Sequence, residues 1–353
     1  MKILRPILHV AFALLAGALV AAPADADPIA DFYKGKQIVA NTGGGAGGGF
    51  ALAARILGRH MVRYIPGHPD WVVTAMPGAG GARSIKYVVN AGAQDGTVIG
   101  VVLPPAVISP LLRKGVGYDS SRLQWIGSIT PMPSVLSVWH AAPGKSLDDA
   151  RKVQLIIATS SKLSTNYLVA MFLNEVIGTK FKVISGYQGG DRQNVAMEKG
   201  EVHGRASFFN SYKTTKPDWL RDRSIIHLAT LGPRIDDLKG VTHVMDLARS
   251  DEERQMIDLM QAGESVGHGF FVSPGVPKAR VAALRRAFDA TMKDPAFLKE
   301  AAERKQLVSP VLGEDLDRIV AQATRVSPAV VDKFKKMIRL DGPPERGGKG
   351  KKK

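Results

Sequence analysis

Short runs of β-branched and other apolar residues alternate with stretches of helical period along this chain. That alternation restricts it to α/β units with mainly parallel sheets. Strands are expected at 36–41, 71–75, 98–103, 155–158, 181–184, 225–230 and 269–273. Between them, Leu52, Arg55, Ile56, Arg59 and His60 fall at helical spacing, as do 85–88, 165–176 and 251–260. Another helix begins near Asp191, its expected cap. Pro277 opens a helix at its first turn, where a missing N–H costs nothing, and Val281, Leu284, Phe288 and Met292 form the buried stripe. Two further helices, near 314–324 and 330–338, finish the fold. No solenoid-length repeat is present. From 125 to 139 an apolar run is broken by Pro131 and Pro133, which suits a long passage between lobes. The expectation is therefore two lobes, one discontinuous (27–138 plus 232–340) and one inserted (139–231), with a ligand held between them.

The ends read as something other than fold. Lys2 and Arg5, the apolar stretch 7–20 and Ala24-Asp25-Ala26 form a signal peptide of residues 1–26, cleaved near Ala26. The apolar stretch is shorter than the roughly 20 residues of a membrane span. No Cys occurs anywhere, which removes a lipid anchor on a mature N-terminal Cys, thiol chemistry and Cys-ligated zinc. Lobes of this size bury enough apolar surface to dispense with disulfides. The net charge of +16 would attract nucleic acid, anionic lipid or anionic solutes. Five of the 48 Lys and Arg, Arg346, Lys349, Lys351, Lys352 and Lys353, sit in a Gly-rich tail, 341–353, expected to be disordered. An export signal and the lack of an aromatic-plus-basic platform argue against nucleic acid.

The loop Gly43-Gly44-Gly45-Ala46-Gly47-Gly48-Gly49 lies between a strand and a helix, so its N–H groups and the helix N-terminus suit an anion. Gly43, Gly45 and Gly48 also satisfy the dinucleotide pattern G-x-G-x-x-G. That reading needs an acid about 20 positions on, ending the second strand, to hold a ribose. Between Asp31 and Asp95 the only acid is Asp70, which precedes that strand, so no nucleotide cofactor is expected. Gly144-Lys145-Ser146 imitates the end of a Walker loop, but Trp139 stands where its first Gly belongs. No G-x-S-x-G or H-E-x-x-H occurs and the eight His are scattered, so neither catalytic residues nor a metal site is expected. Two later loops repeat the first one's logic. Thr159-Ser160-Ser161-Lys162 leads into a helix starting near Ser164-Thr165-Asn166, and Ser185-Gly186-Tyr187-Gln188-Gly189-Gly190 into the helix at Asp191. Such residues also cap helices everywhere, so plain capping stays open beside a shared carboxylate site.

Taken in order, these motifs resemble the periplasmic substrate-binding receptors of tripartite tricarboxylate transporters. The matching stretches are Phe32-Tyr33-Lys34-Gly35-Lys36, the glycine loop before Ala54-Arg55, Met76-Pro77-Gly78-Ala79-Gly80-Gly81, Asp95-Gly96-Thr97-Val98-Ile99-Gly100, 186–190, Gly200-Glu201-Val202 and Pro274-Gly275-Val276-Pro277. The resemblance implies a type II periplasmic-binding-protein fold, a periplasmic location, no enzyme activity, and delivery of a small organic carboxylate to membrane permease subunits by a monomer. A ligand-loaded sensor for a signalling partner and an exported enzyme using the same cleft are the alternatives. Carried over, the carboxylate site comprises Gly45, Gly47, Gly48, Gly49, Ser160, Ser161, Ser164, Thr165, Tyr187, Gln188, Gly189 and Gly190, with converging helix ends binding the anion without a paired cation. The sequence departs from the family at Ala51, where an Asp commonly follows an aromatic residue, and at His203, often Asp. The missing acid at Ala51 points to a ligand without an amino group, such as a di- or tricarboxylate or an aromatic acid.

Overall fold

The computed structural model describes residues 27–187 and 189–340. The expected signal segment 1–26, Gln188 and the tail 341–353 lie outside the described residues. The strands are β1 (Gln37–Thr42), β2 (Asp70–Ala75), β3 (Val98–Val101), β4 (Gln124–Ser128), β5 (Ser134–Trp139), β6 (Leu155–Thr159), β7 (Phe181–Ser185), β8 (Gly204–Phe208), β9 (Ile225–Leu231), β10 (Gly269–Val272) and β11 (Val311–Leu312). They form one sheet in the order β11-β4-β10-β3-β1-β2 and another in the order β7-β6-β8-β5-β9.

The two sheets have the same internal logic. In the first, β1 lies between its parallel neighbours β2 and β3, and the antiparallel β10 separates β3 from β4. In the second, β6 lies between parallel β7 and β8, and the antiparallel β5 separates β8 from β9. In each sheet the antiparallel strand is the one that has just crossed from the other. This is the two-lobed type II binding-protein arrangement expected from the sequence. The whole of β5 pairs in the second sheet, so the boundary expected at 138/139 falls inside a strand.

Parallel strands covered on both faces need apolar residues on both. Ile38 and Ala40 of β1 are fully buried against the helix Gly49–Met61, whose Ala53, Ala54, Ile56, Leu57 and Met61 face the sheet. The second sheet's Leu155, Ile157 and Ala206 pack with Leu168, Phe172 and Leu173 of the helix Thr165–Ile177. The helix Asp251–Val266 joins the two halves. It contacts the helices Pro104–Leu112, Gly313–Thr324 and Pro328–Met337 on one side and Thr165–Ile177 on the other. Its Met256, Ile257, Leu259 and Met260 continue a single apolar cluster from Trp125 and Phe271 of the first sheet into the second.

Ser250 caps this bridging helix by accepting from Glu253 N–H (3.2 Å), while the Glu253 carboxylate accepts from Arg249 N–H (2.6 Å). Its last turn runs into the crossing segments. Gly267 has φ 52°, and a Cβ there would lie 2.1 Å from the Thr130 carbonyl oxygen, so only glycine lets the two crossings approach. They bond through His268 N–H to Thr130 O (3.0 Å), Ile129 N–H to His268 O (3.2 Å) and Met132 N–H to Glu264 O (2.8 Å).

Candidate functional site

Ligands of open α/β sheets bind outside the carboxyl ends of the strands. There, a cavity of about 440 Å³ opens between the lobes. The first lobe supplies Phe50, Leu103, Pro104 and Pro105. Ser134 enters from the crossing, and the second lobe supplies Ser160, Ser164, Thr165, Asn166, Gly189, Gly190, Gln193, Arg205, Ala206, Ser207, Phe208 and Ser211. No acidic residue is among these, and the sole charged one is Arg205.

Five helices present their first turns to this space; of these, Pro104–Leu112 opens on two prolines, which have no N–H, and Phe209–Thr215 spans seven residues, and the other three are Gly49–Met61 through Phe50, Thr165–Ile177 through Thr165 and Asn166, and Gly190–Glu198 through Gly190. None of these three is capped by a side chain. Gly48 and Gly189 have no side chain to offer. Ser164, at the third cap, turns its hydroxyl away to the Ser161 carbonyl (2.7 Å) and to Thr159 Oγ1. The first N–H groups of each helix are therefore left for an anion. A hydrogen-bonded chain sets the angle between the two ends of the second lobe. Asn166 Nδ2 donates to Ala158 O (3.0 Å) and Gln193 Oε1 (2.9 Å), and Gln193 Nε2 donates to Tyr187 O (3.0 Å).

Arg205, on β8, is 5 % exposed. Its Nη1 donates to Gly190 O (2.6 Å), its Nη2 to Ser207 Oγ, and its guanidinium lies 5.5 Å from the Tyr212 ring centroid. Buried Nε has no hydrogen-bond partner, and none of the ion pairs found among the described residues pairs Arg205 with an acid. A buried cation without a counter-charge is costly unless something supplies one.

Of the residues read from sequence, Ser160, Ser164, Thr165, Gly189 and Gly190 line this cavity. Gly45, Gly47, Gly48 and Gly49 do not: they are exposed on a turn closed by Gly48 N–H to Gly45 O (2.9 Å), and only the following Phe50 reaches the cavity. A Cβ on Gly43 would sit 2.6 Å from Gly81 Cα, so the glycine run also serves packing against the 77–81 loop. Ser161 is exposed beside the cavity and holds the loop through its carbonyl. Tyr187 packs against the cluster of Ala158, Ala196 and Trp219 instead of lining the cavity. Asp191 is not the cap of its helix, which starts one residue earlier at Gly190.

Arg205 puts a cation on the cavity wall, where the resemblance implied that none was needed. The signal was a lone Arg between Gly204 and Ala206 in a stretch with no helical or alternating period. Gln193 and Ser134 were likewise missed. Ala51 is fully buried and outside the cavity lining, so the absence of an acid around the ligand rests on the lining itself. His203 sits at the opposite end of β6, where its Nδ1 accepts from Ile156 N–H (3.0 Å) and burial lowers its pKa. An acceptor is what that position uses, and neutral imidazole provides one.

No family model matches the chain, and no curated protein matches it. Solved structures do. A TctC solute-binding protein from Polaromonas, without ligand, superposes with a TM-score of 0.64 at 17 % identity over 87 % of this chain and 99 % of that one. MatC from Rhodopseudomonas palustris with bound malate gives 0.60 at 16 % identity over 86 % and 99 %. An R. palustris protein with adipate gives 0.61 at 18 % identity over 86 % and 97 %. These likenesses establish the fold of TctC-type solute-binding proteins, the fold the sequence motifs resembled.

Proposed function

Proceeding from that fold, we propose that this chain is an extracytoplasmic solute receptor that captures a small organic acid bearing two carboxylates and delivers it to membrane permease subunits of the tripartite tricarboxylate type. The observation that carries the reading is the composition of the interlobe cavity: three uncapped helix N-termini and the unpaired buried Arg205, with no acid in the lining. Each helix end contributes about 0.3–1 kcal/mol towards an anion, more when partly buried. Arg205 gives the site a fixed charge for a second carboxylate. An ammonium group would meet no carboxylate in the lining, which disfavours amino acids. Malate and adipate, bound by two proteins of the same fold, are both dicarboxylates without an amino group.

The cavity's hydroxyls, amides and single guanidinium include no acid/base pair, which supports capture over catalysis. The segment 1–26 supports export to the periplasm. The lobes proposed are 27–128 with 269–340, and 134–231, joined at 129–133 and through the bridging helix. Ligand that binds the closed arrangement more tightly drives closure.

The test is a thermal-shift screen of the purified protein, residues 27–353, against mono-, di- and tricarboxylates, amino acids and NAD. A dicarboxylate at about 100 times its dissociation constant adds roughly 2.7 kcal/mol of stability, visible as a raised midpoint. A response to NAD or to amino acids with silence from the acids refutes the proposal.

A further inference from the structure

Glu264 lies in the last turn of the bridging helix Asp251–Val266, beside both crossings, and is 1 % exposed. It has no ion-pair partner among those found in the described residues. Its Oε1 is met by two hydroxyls, Thr165 Oγ1 at 2.6 Å and Ser134 Oγ at 3.3 Å. Both residues line the interlobe cavity, Thr165 opening a helix and Ser134 opening β5 directly after the crossing. A buried acid thus holds the hydroxyls of two residues that line the cavity.

We propose that Glu264 is a positioning residue for anion capture, so that binding the acid takes up a proton at its carboxyl group. The inference rests on the carboxylate-capture reading. Each hydroxyl has one proton to donate. With Glu264 ionised, Thr165 and Ser134 both donate to Oε1 and turn lone pairs towards the cavity, which repels a carboxylate. With Glu264 protonated, its O–H donates to one hydroxyl, and that hydroxyl's own proton is released to the ligand. No bond other than hydrogen bonds and the Glu264 O–H changes, and the proton comes from solvent.

Burial pushes the Glu264 carboxyl up to about 7, opposed by the Thr165, backbone and Ser134 hydrogen bonds, so both states are populated near neutrality. The charged and titratable groups of the elements packed around it lie as follows. His268, four residues on, is pushed down to about 4 by burial. His243 is engaged on both ring nitrogens, with Gly232 O and Met245 N–H. Arg205 lines the same cavity. Of the packed helices, Pro104–Leu112 contains no titratable residue, and Thr165–Ile177 contributes Glu175 ten residues from Thr165, with Tyr167 in its first turn. Pro328–Met337 meets the far end of the bridging helix through Lys333 and Glu252, with Asp332, Lys335 and Lys336 beside it. Gly313–Thr324 carries Glu314, Asp315, Asp317 and Arg318. Of these, Glu314 and Asp317 pair with Arg285, and Asp315 with Arg318. On its own helix the nearest acid is Asp258, bonded to Gln261.

The experiment measures the affinity of residues 27–353 for malate and adipate, both mainly dianions across the range, from pH 6 to 8.5 by calorimetry in buffers of different ionisation enthalpy. If only the protonated form is competent, the dissociation constant rises about 30-fold across that range. Up to one proton is taken up per ligand at the alkaline end. Glu264→Gln keeps a permanent donor behind the hydroxyls, so its affinity stays flat with pH and near the wild type's at pH 6. Thr165→Val weakens binding at pH 6. Wild-type affinity independent of pH, no buffer-dependent heat, or a Glu264→Gln protein that keeps the wild-type slope overturns the proposal. If Glu264→Gln does not fold, the wild-type buffer dependence decides alone. Binding by neither acid at any pH sinks the capture reading, and this proposal with it; binding without proton uptake sinks only the latter.

Discussion

Arg205 concentrates the tension between stability and binding in one side chain. A guanidinium 5 % exposed, with Nε unsatisfied and no ion-pair partner among the described residues, is held at a cost. Arg205→Met keeps the apolar stem and removes the charge. In chemical denaturation without ligand the variant is expected to be as stable as the parent or up to about 2 kcal/mol more stable, since replacing buried charge by packed apolar groups is neutral or favourable. Its affinity for a dicarboxylate should fall at least tenfold, or about 1.4 kcal/mol. Titration calorimetry beside a urea melt separates the two effects. A variant that loses stability while binding normally shows Arg205 to be a structural group, and the electrostatic account of the cleft fails.

The elements explain which parts of this arrangement were legible beforehand. Long apolar strands such as β1, β6 and β9 and the striped helix Lys278–Thr291 follow period and capping, and these stood out in the sequence. The apolar run with Pro131 and Pro133 was read as one passage between lobes and is two strands, β4 and β5, with the prolines at the joint. Strand β8 was invisible. It is short, carries Gly204 and Arg205, and owes its place to β5, because a Cβ on Gly204 would meet Ser137 O at 2.3 Å. The helix Pro104–Leu112 hid behind two prolines at its start and Pro110 inside it. Of the cavity residues, Ser160, Ser164, Thr165, Gly189 and Gly190 lie on or beside strand-to-helix loops that the sequence marks, while Arg205, on an unseen strand, and Ser134, at an unseen strand's start, carry no such mark. The same loops give an element-scale test. Ser164→Asp places a carboxylate at the cap of the helix Thr165–Ile177, whose N–H groups the present Ser164 leaves open. The built-in anion should satisfy the helix end and compete with ligand. Affinity for malate or adipate drops at least tenfold, while Ser164→Ala changes it far less. Equal losses in the two variants would mean that the helix end does not face the anion.

For the molecule as a whole, three groups with large shifts, the buried Glu264 and His268 and the half-buried His227, contribute to how stability changes with acidity, and their signs differ. His227 and His268 are each pushed down to about 4 by burial, from 6.5. The folded state binds those protons less readily than the unfolded one, so stability present above pH 6.5 is lost as the pH falls towards 4. For His268, 4 % exposed, the full gap corresponds to about 3 kcal/mol. Glu264 acts the other way. Raised from 4.5 to about 7, it takes up its proton more readily when folded, so the protein gains stability from this group as the pH falls from 7 to 4.5. Two losses outweigh one gain, and urea denaturation of the ligand-free protein should show stability declining between pH 6.5 and 4. His268→Asn retains an acceptor for Gln306 Nε2, which lies 3.1 Å from Nδ1, and should flatten the decline by about one proton. Glu264→Gln removes the opposing gain and should steepen it. If both substitutions move the slope in the same direction, the assignment of these buried charges is wrong, and the proton that accompanies ligand must be sought elsewhere than at the crossing between the lobes.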